Sequence, residues 1–525
     1  MLHDKSSSIK EEEISNGNTP SADSFQMKPP GQNRLDGPDS DKSDAERAAL
    51  DKQVLRKVDL WIMPWFCLMY LLCFLDRTNI GNARLTGMED DLNMKGRDYN
   101  TALAIFFIAY AGAEPFTNLL MKKVGPRVFF TSIVISWVCK DLTRDTDRSF
   151  IDGLQGLCMM CTGFVTSYGG LLAARWFLGI TEAGLYPGVQ YYLSCWYRRS
   201  ELGVRLATFF AMAALAGSFG GLLAAAIARM DGMGGKPGWA WIFILEGLAT
   251  IVAGIFCWWM VFDWPATARF LTYDERLRVR YRLAADNQAG SGEHFEKRHI
   301  SAALKDWKTW AYSLLNMGTF MPLYGFSLFL PTIVAGMGYK GTHAQLLTVP
   351  PYAVAACVTV FIGWLADRTK QRGLCTLGIS CFAVTGFSML LASGKPHVQY
   401  AATFLGAMGI YPALPNNISW AANNTEGTYK RGVLIGIIVG MGNMNGIVSC
   451  NIYMASEKPR YRTGHATILA YVIVCELVVA SLTRAQLVRE NKKRKSGERD
   501  KMLDGMTADQ IMVQGDKRPD FFYTL

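Results

Sequence analysis

The 525-residue chain has little with which to do enzyme chemistry in water. Histidine is scarce, at six residues, and none has metal-ligand spacing. We find no nucleophile–base constellation and no Gly-rich phosphate loop, which argues against an enzyme and against a cofactor. The 12 cysteines lie mostly in apolar stretches. Cys158 and Cys161 have CxxC spacing but no histidine cluster beside them, so helical packing is the better reading. Charged residues make up only 19% of the chain. Residues 1–50 are nearly free of aromatics and rich in Ser, Asp, Lys, Gly and Pro, the composition of a disordered tail, and no cleavable signal peptide is visible.

Long apolar runs are what the chain does have. Half of its residues are hydrophobic, and the runs recur from about residue 60 to 488. About 20 residues cross a hydrocarbon core, so this pattern predicts an all-α membrane protein with twelve crossings. A β-barrel would show alternating ten-residue segments instead. The predicted segments are 60–80, 99–121, an irregular third, 169–193, 203–227, 239–262, 309–334, 344–366, 373–393, 398–420, 431–455 and 464–488. Basic residues gather in alternate loops: Lys122, Lys123 and Arg127; Arg198 and Arg199; the 263–308 stretch; Arg368, Lys370 and Arg372; Lys430 and Arg431; and Lys492–Lys495. By the positive-inside rule both termini and the linker are cytosolic, and the net charge of +10 records topology rather than nucleic-acid binding. The expected organisation is a tail over 1–57, a six-helix bundle over 58–262, a linker over 263–308, a second bundle over 309–488 and a tail over 489–525.

An internal repeat supports the 6+6 division. Gly184-Leu185-Tyr186-Pro187 returns as Gly409-Ile410-Tyr411-Pro412, 225 residues on, and Arg205 matches Arg431. Asn118 through Arg127 matches Gly363 through Arg372 at an offset of 245, so about 20 extra residues lie between positions 127 and 184. They coincide with Val138–Gln155, which carries seven charges and interrupts the third helix. Deleting this stretch joins Val128–Trp137 to Gly156–Val165, one apolar helix of spanning length. Val-Cys can be encoded by a splice donor and Gln by an acceptor triplet. The stretch therefore reads as a retained intron in the gene model, the alternative being a real insertion looping out of the membrane.

Two further clusters of charge break the apolar rule. Asp76-Arg77 closes the run Trp61–Leu75, and Arg175 and Glu182 lie within Leu171–Leu193. A charge at the bilayer centre costs about 2.5–3.5 kcal/mol on insertion scales, so such residues pair, face a cavity or do a job. Positions 175 and 182 are two helical turns apart and share a face. Guanidinium grips a carboxylate through two parallel hydrogen bonds, which lysine cannot do. The repeat maps Asp76, Arg77, Arg175 and Glu182 to Met321, Pro322, Tyr400 and Ala407, so the second half does without them.

The stretch Gly363-Trp-Leu-Ala-Asp367-Arg368-Thr-Lys-Gln-Arg372 resembles the loop signature of the major facilitator superfamily. Its first-half copy has Lys122 where the Asp should be. Leu75-Asp-Arg-Thr-Asn-Ile-Gly-Asn-Ala83 resembles the anion:cation symporter family, in particular its fungal allantoate and nicotinate permease branch. So do Arg175-Trp-Phe-Leu-Gly-Ile-Thr-Glu182, Trp420-Ala-Ala-Asn-Asn424 with Lys430-Arg431, and Pro459-Arg-Tyr-Arg-Thr-Gly464. The resemblance implies a secondary transporter, a proton-coupled symporter of a small organic anion working by alternating access, monomeric, in the lipid bilayer of the plasma membrane. It implies substrate contacts at Arg77, Arg175, Tyr110 and Asn443, and proton coupling at Asp76 and Glu182. It also implies a conformational latch at Gly363, Asp367, Arg368 and Arg372. The alternatives are a non-transporting nutrient sensor of the same fold, or an inactive product if residues 138–155 are translated. Asn416 and Asn417 fit either a cavity wall or interhelical hydrogen bonding, and Glu246 receives no role.

Overall fold

Backbone polar groups in lipid must be satisfied within the protein, and this chain does so with helices. The computed structural model describes residues 42–135, 155–285, 297–339, 341–499 and 515–525, and among these every regular element is helical. The principal helices are α1 (Asp44–Thr78), α2 (Asp98–Val124), α3 (Pro126–Ile135), α4 (Tyr168–Glu182), α5 (Arg199–Ile227) and α6 (Gly238–Met260). They continue with α7 (Trp307–Gly336), α8 (Val349–Thr369), α9 (Arg372–Ala392), α10 (Pro396–Ile410), α11 (Thr428–Asn451) and α12 (Arg462–Tyr471). Among the described residues, eight helical stretches are long and apolar enough to cross a membrane.

Several boundaries differ from the sequence-based expectation. The first helix begins at Asp44, inside the tail expected over 1–57. Ser43 starts it with a capping box: its hydroxyl accepts the Glu46 N–H, while the Glu46 carboxylate accepts the Ser43 N–H at 2.9 Å. That extension is held by the linker helix Tyr273–Ala285, through Lys57–Glu275 at 2.8 Å and Arg278–Asp51 at 2.9 Å. The tail expected from 489 is likewise shortened, because the last helix, Val479–Lys495, runs into it and Gly515–Leu525 folds back onto the bundle. There Trp420 Nε1 donates to the Thr524 carbonyl at 2.9 Å, and Asn424 Oδ1 accepts the Thr524 N–H at 2.7 Å. Of the interrupting stretch 138–155, all but Gln155 lies outside the described residues. Gln155 opens a helix to Thr162 that packs on α4 and α6.

Both copies of the Gly-x-Tyr-Pro repeat mark a break in a helix. α4 stops at Glu182 and the chain restarts as Leu185–Ser194; α10 stops at Ile410 and restarts as Ala413–Asn423. Proline has no N–H to continue the ladder, so these are the places where the backbone can turn. Small residues then let the long helices approach closely. α5 lies along α8, where a β-carbon on Gly363 would collide with Ala207 and one on Gly217 with the Tyr352 ring. α2 packs on α11, with Gly446 under Phe107.

Candidate functional site

Asp76 and Arg77 are adjacent on α1, so at 3.6 residues per turn their side chains leave in different directions. Asp76 is fully buried and accepts from Thr250 Oγ1 of α6 at 3.2 Å. Arg77 turns to the middle of the bundle. Its Nε and Nη2 both donate to Glu182 Oε2 of α4, at 3.1 and 2.9 Å, and its Nη1 donates to Tyr324 Oη of α7 at 3.3 Å. The guanidinium is ringed by Phe74, Phe106, Tyr110 and Tyr324, with Tyr110 nearest at 4.9 Å from the ring centroid. Such faces attract a cation strongly once water is excluded.

The hydrogen bonds continue across the bundle. Tyr324 Oη donates to Asn443 Oδ1 of α11 at 2.6 Å, and Asn443 Nδ2 donates to Glu114 Oε2 of α2 at 2.9 Å. A single chain, Glu182–Arg77–Tyr324–Asn443–Glu114, thus ties helices from the first part of the sequence to helices from the last. Beside it is a cavity of about 10 Å³, bordered by Arg77, Tyr110, Tyr186, Phe320 and Tyr324 among others. This is room for about one water and far below the roughly 300–1,000 Å³ of ordinary ligand pockets, so the centre is drawn tight around the arginine.

Arg175 stands apart. It is 2% exposed, and its Nε and Nη2 have no hydrogen-bond partner among the described residues; its guanidinium lies 5.7 Å from the Phe243 ring centroid of α6. Glu182 is also incompletely used, since Oε1 has no hydrogen-bond partner among the described residues. Of the residues expected at the site, Arg77, Glu182, Tyr110 and Asn443 come together, Asp76 is turned to α6, and Arg175 does not border the cavity.

Of the four residues expected to form a latch, two meet. Asp367 pairs with Arg372, and its Oδ2 accepts the Val204 N–H of α5 at 2.8 Å. Arg368 is not part of it: the side chain is exposed and lies over Trp364, 5.3 Å from the ring centroid. Asn416 and Asn417 make interhelical hydrogen bonds, to Thr376 of α9 at 2.9 Å and Thr319 of α7 at 3.1 Å. Glu246 accepts from Asn79.

Sequence reasoning passed over two participants, Glu114 and Tyr324. The signal for the acid was present: it is a lone carboxylate within an apolar run, the same anomaly that singled out Asp76.

An all-helical bundle that buries ion pairs and lone charges around an aromatic centre defines a polytopic transporter. The chain belongs to the major facilitator superfamily, whose family model matches residues 149–450. The MFS-type transporter cnsO of Penicillium expansum is 34% identical over 490 residues, 90% of each chain. The high-affinity nicotinic acid transporter of Saccharomyces cerevisiae is 31% identical over 450 residues, 85% of this chain and 80% of that one. The major facilitator-type transporter hxnP of Emericella nidulans is 30% identical, over 90% of this chain and 93% of that one. These relatives put the chain with a fungal, nicotinate-permease-like branch of the superfamily. A bacterial homologue of the human lysosomal transporter Spinster, solved in an inward-facing and occupied conformation, shares the fold with a TM-score of 0.54. It is 15% identical and covers 80% of this chain and 95% of that one.

Proposed function

We propose that this transporter is a proton-coupled symporter of a small organic anion, a carboxylate nutrient such as nicotinate or allantoate. It works by alternating access of two six-helix bundles, with both termini in the cytosol and the protein in the plasma membrane. The observation that carries the reading is the way Glu182 occupies the Nε–Nη2 edge of Arg77 beside the central cavity. That edge is the fork a substrate carboxylate grips. An incoming anion therefore competes with Glu182, and a displaced carboxylate buried without a cation takes up a proton rather than bear the desolvation cost. Anion and proton are then carried in one cycle. Arg175, with unspent donors near Glu182, supplies the second positive charge that draws the anion in. Tyr110 and the neighbouring rings suit a flat aromatic acid. The kinship with a nicotinic acid transporter supports the same substrate class.

The test is an uptake screen of carboxylate nutrients in a transporter-deficient yeast, run on chains with and without residues 138–155. Accumulation of a carboxylate, but not of its amide, supports the reading. Equal uptake of acid and amide would overturn it.

A further inference from the structure

The C-terminal helices lack counterparts of the charges around Arg77, yet they bury a carboxyl of their own. Glu476 is 2% exposed and lies in Val472–Val478, a π-helical segment between α12 and the last helix. Single π-turns gather at functional sites, because they leave the regular hydrogen-bond ladder. α7 presses against this one closely enough that a β-carbon on Gly318 would fall 3.0 Å from Glu476 Cγ. Glu476 Oε1 accepts from Thr319 Oγ1 of α7 at 2.6 Å, and Oε2 from Ser380 Oγ of α9 at 3.2 Å. Charged side chains on the surrounding elements are engaged elsewhere: Lys308 of α7 with Asp516, Arg372 of α9 with Asp367, and Arg484 of the last helix with Gln371. The titratable neighbour on its own segment is Cys475, and His465 of α12 is engaged with Tyr453. Among the described residues Glu476 makes no ion pair, so its charge state answers to whether a proton reaches it.

The donors leading to this carboxyl all point one way. Arg372 Nη1 donates to Asn416 Oδ1 at 3.4 Å, and Asn416 Nδ2 to Thr376 Oγ1 at 2.9 Å. Thr376 Oγ1 donates to Asn417 Oδ1 at 2.7 Å, Asn417 Nδ2 to Thr319 Oγ1 at 3.1 Å, and Thr319 to the carboxyl. Both hydroxyls at the end have a rival acceptor on their own helix: the Leu315 carbonyl lies 3.2 Å from Thr319 Oγ1, and the Thr376 carbonyl 2.8 Å from Ser380 Oγ. A hydroxyl has one hydrogen, so it serves either the carboxylate or the helix. A proton on Glu476 turns an acceptor into a donor and sends that hydrogen back to the helix. At the far end of the chain Arg372 holds Asp367, which accepts the Val204 N–H of α5 and so joins the C-terminal helices to the N-terminal ones.

We propose that Glu476 is a proton-binding site separate from Asp76 and Glu182, whose occupancy is passed through Asn417, Thr376 and Asn416 to the Asp367–Arg372 latch. This rests on the transport reading only in that there is a cycle to regulate; it needs neither a particular substrate nor Glu182 as proton carrier.

The test uses the full chain in lipid nanodiscs without substrate. Infrared spectra follow protonated carboxyl bands through a pH titration, and spin labels on non-canonical residues at positions 52 and 370 report the distance across the latch. In the wild type, loss of a carboxyl band and a shift in the distance distribution should share one pH range. Glu476→Gln should lose both, and Asn417→Ala should keep the band but lose the shift. Both responses surviving in Glu476→Gln would overturn the site, and an unchanged shift in Asn417→Ala would overturn the relay. Should Glu476→Gln fail to fold, Glu476→Asp decides: a displaced titration midpoint supports the site and an unchanged one overturns it. Failure of the symport reading would appear in uptake assays with these substrate-free signals intact.

Discussion

Replacing Glu182 by glutamine takes a negative charge out of the bundle centre while keeping its shape. In the structure one oxygen of Glu182 receives both the Nε and Nη2 hydrogens of Arg77, at 3.1 and 2.9 Å, and a substrate carboxylate must take that same edge. The guanidinium stays charged, so both bonds persist with glutamine, but the ion-pair attraction is lost, about 4 kcal/mol for two unit charges about 4 Å apart at an effective dielectric of about 20. Half of that, about 2 kcal/mol, already makes roughly a thirtyfold gain in anion affinity at neutral pH. The assay is equilibrium binding of labelled substrate to purified protein in nanodiscs over a range of pH. Wild-type affinity should climb as pH falls and approach that of Glu182→Gln, whose own affinity should be nearly flat. Substrate exchange should survive in the variant while proton-driven accumulation is lost. Competition between Glu182 and the anion is refuted if Glu182→Gln binds no tighter than wild type at neutral pH, or keeps the wild-type pH slope.

Arg175→Gln should reach the membrane yet lose most uptake, since it removes the second positive charge that draws the anion in; normal transport at equal surface expression would remove Arg175 from the mechanism. Gly363→Val should reduce uptake severely, because the added side chain is driven into Ala207 and overpacking of this kind costs about 1–3 kcal/mol. Ala207→Gly in the same chain should restore part of the loss, which surface-labelled uptake assays can read. The docked C-terminus should respond to acid. Burial alone would raise the Asp516 carboxyl, but Lys308 and Lys430 outweigh it and hold the group below the ordinary Asp range. A depressed carboxyl contributes stability in full above its unfolded value of about 3.9 and loses it as pH falls through the lowered folded value. Limited proteolysis at Gly515–Leu525 should therefore accelerate only below about pH 4, and earlier release would contradict the pairing.

The sequence disclosed the site's charges better than their partners. Asp76, Arg77, Arg175 and Glu182 stand out because charge in an apolar run is expensive, and the Gly-x-Tyr-Pro repeat falls at the two helix breaks. Which carboxylate would meet which arginine was not legible: the Arg77–Glu182 bond spans 105 residues, and the spacing showed only that Arg175 and Glu182 share a face. Asn443 was found through resemblance, but its bridge to Glu114 spans 329 residues. Glu476 escaped because its partners Thr319 and Ser380 are common polar residues on other helices, 157 and 96 positions away. The C-terminal docking escaped for a different reason. A polar, charged stretch reads as disordered by composition, while the Phe521-Phe522-Tyr523 cluster that could anchor it is too short to register. Tyr523 is buried against the bundle and donates to the Asp516 carbonyl at 2.9 Å.

The central claim is that anion and proton move together. Purified protein in liposomes, with nicotinate outside and an imposed inward pH gradient, tests it directly. Nicotinate should accumulate above its external concentration while the gradient lasts, faster as external pH falls, and a protonophore should collapse it to equilibration. Accumulation indifferent to both gradient and protonophore would contradict proton symport.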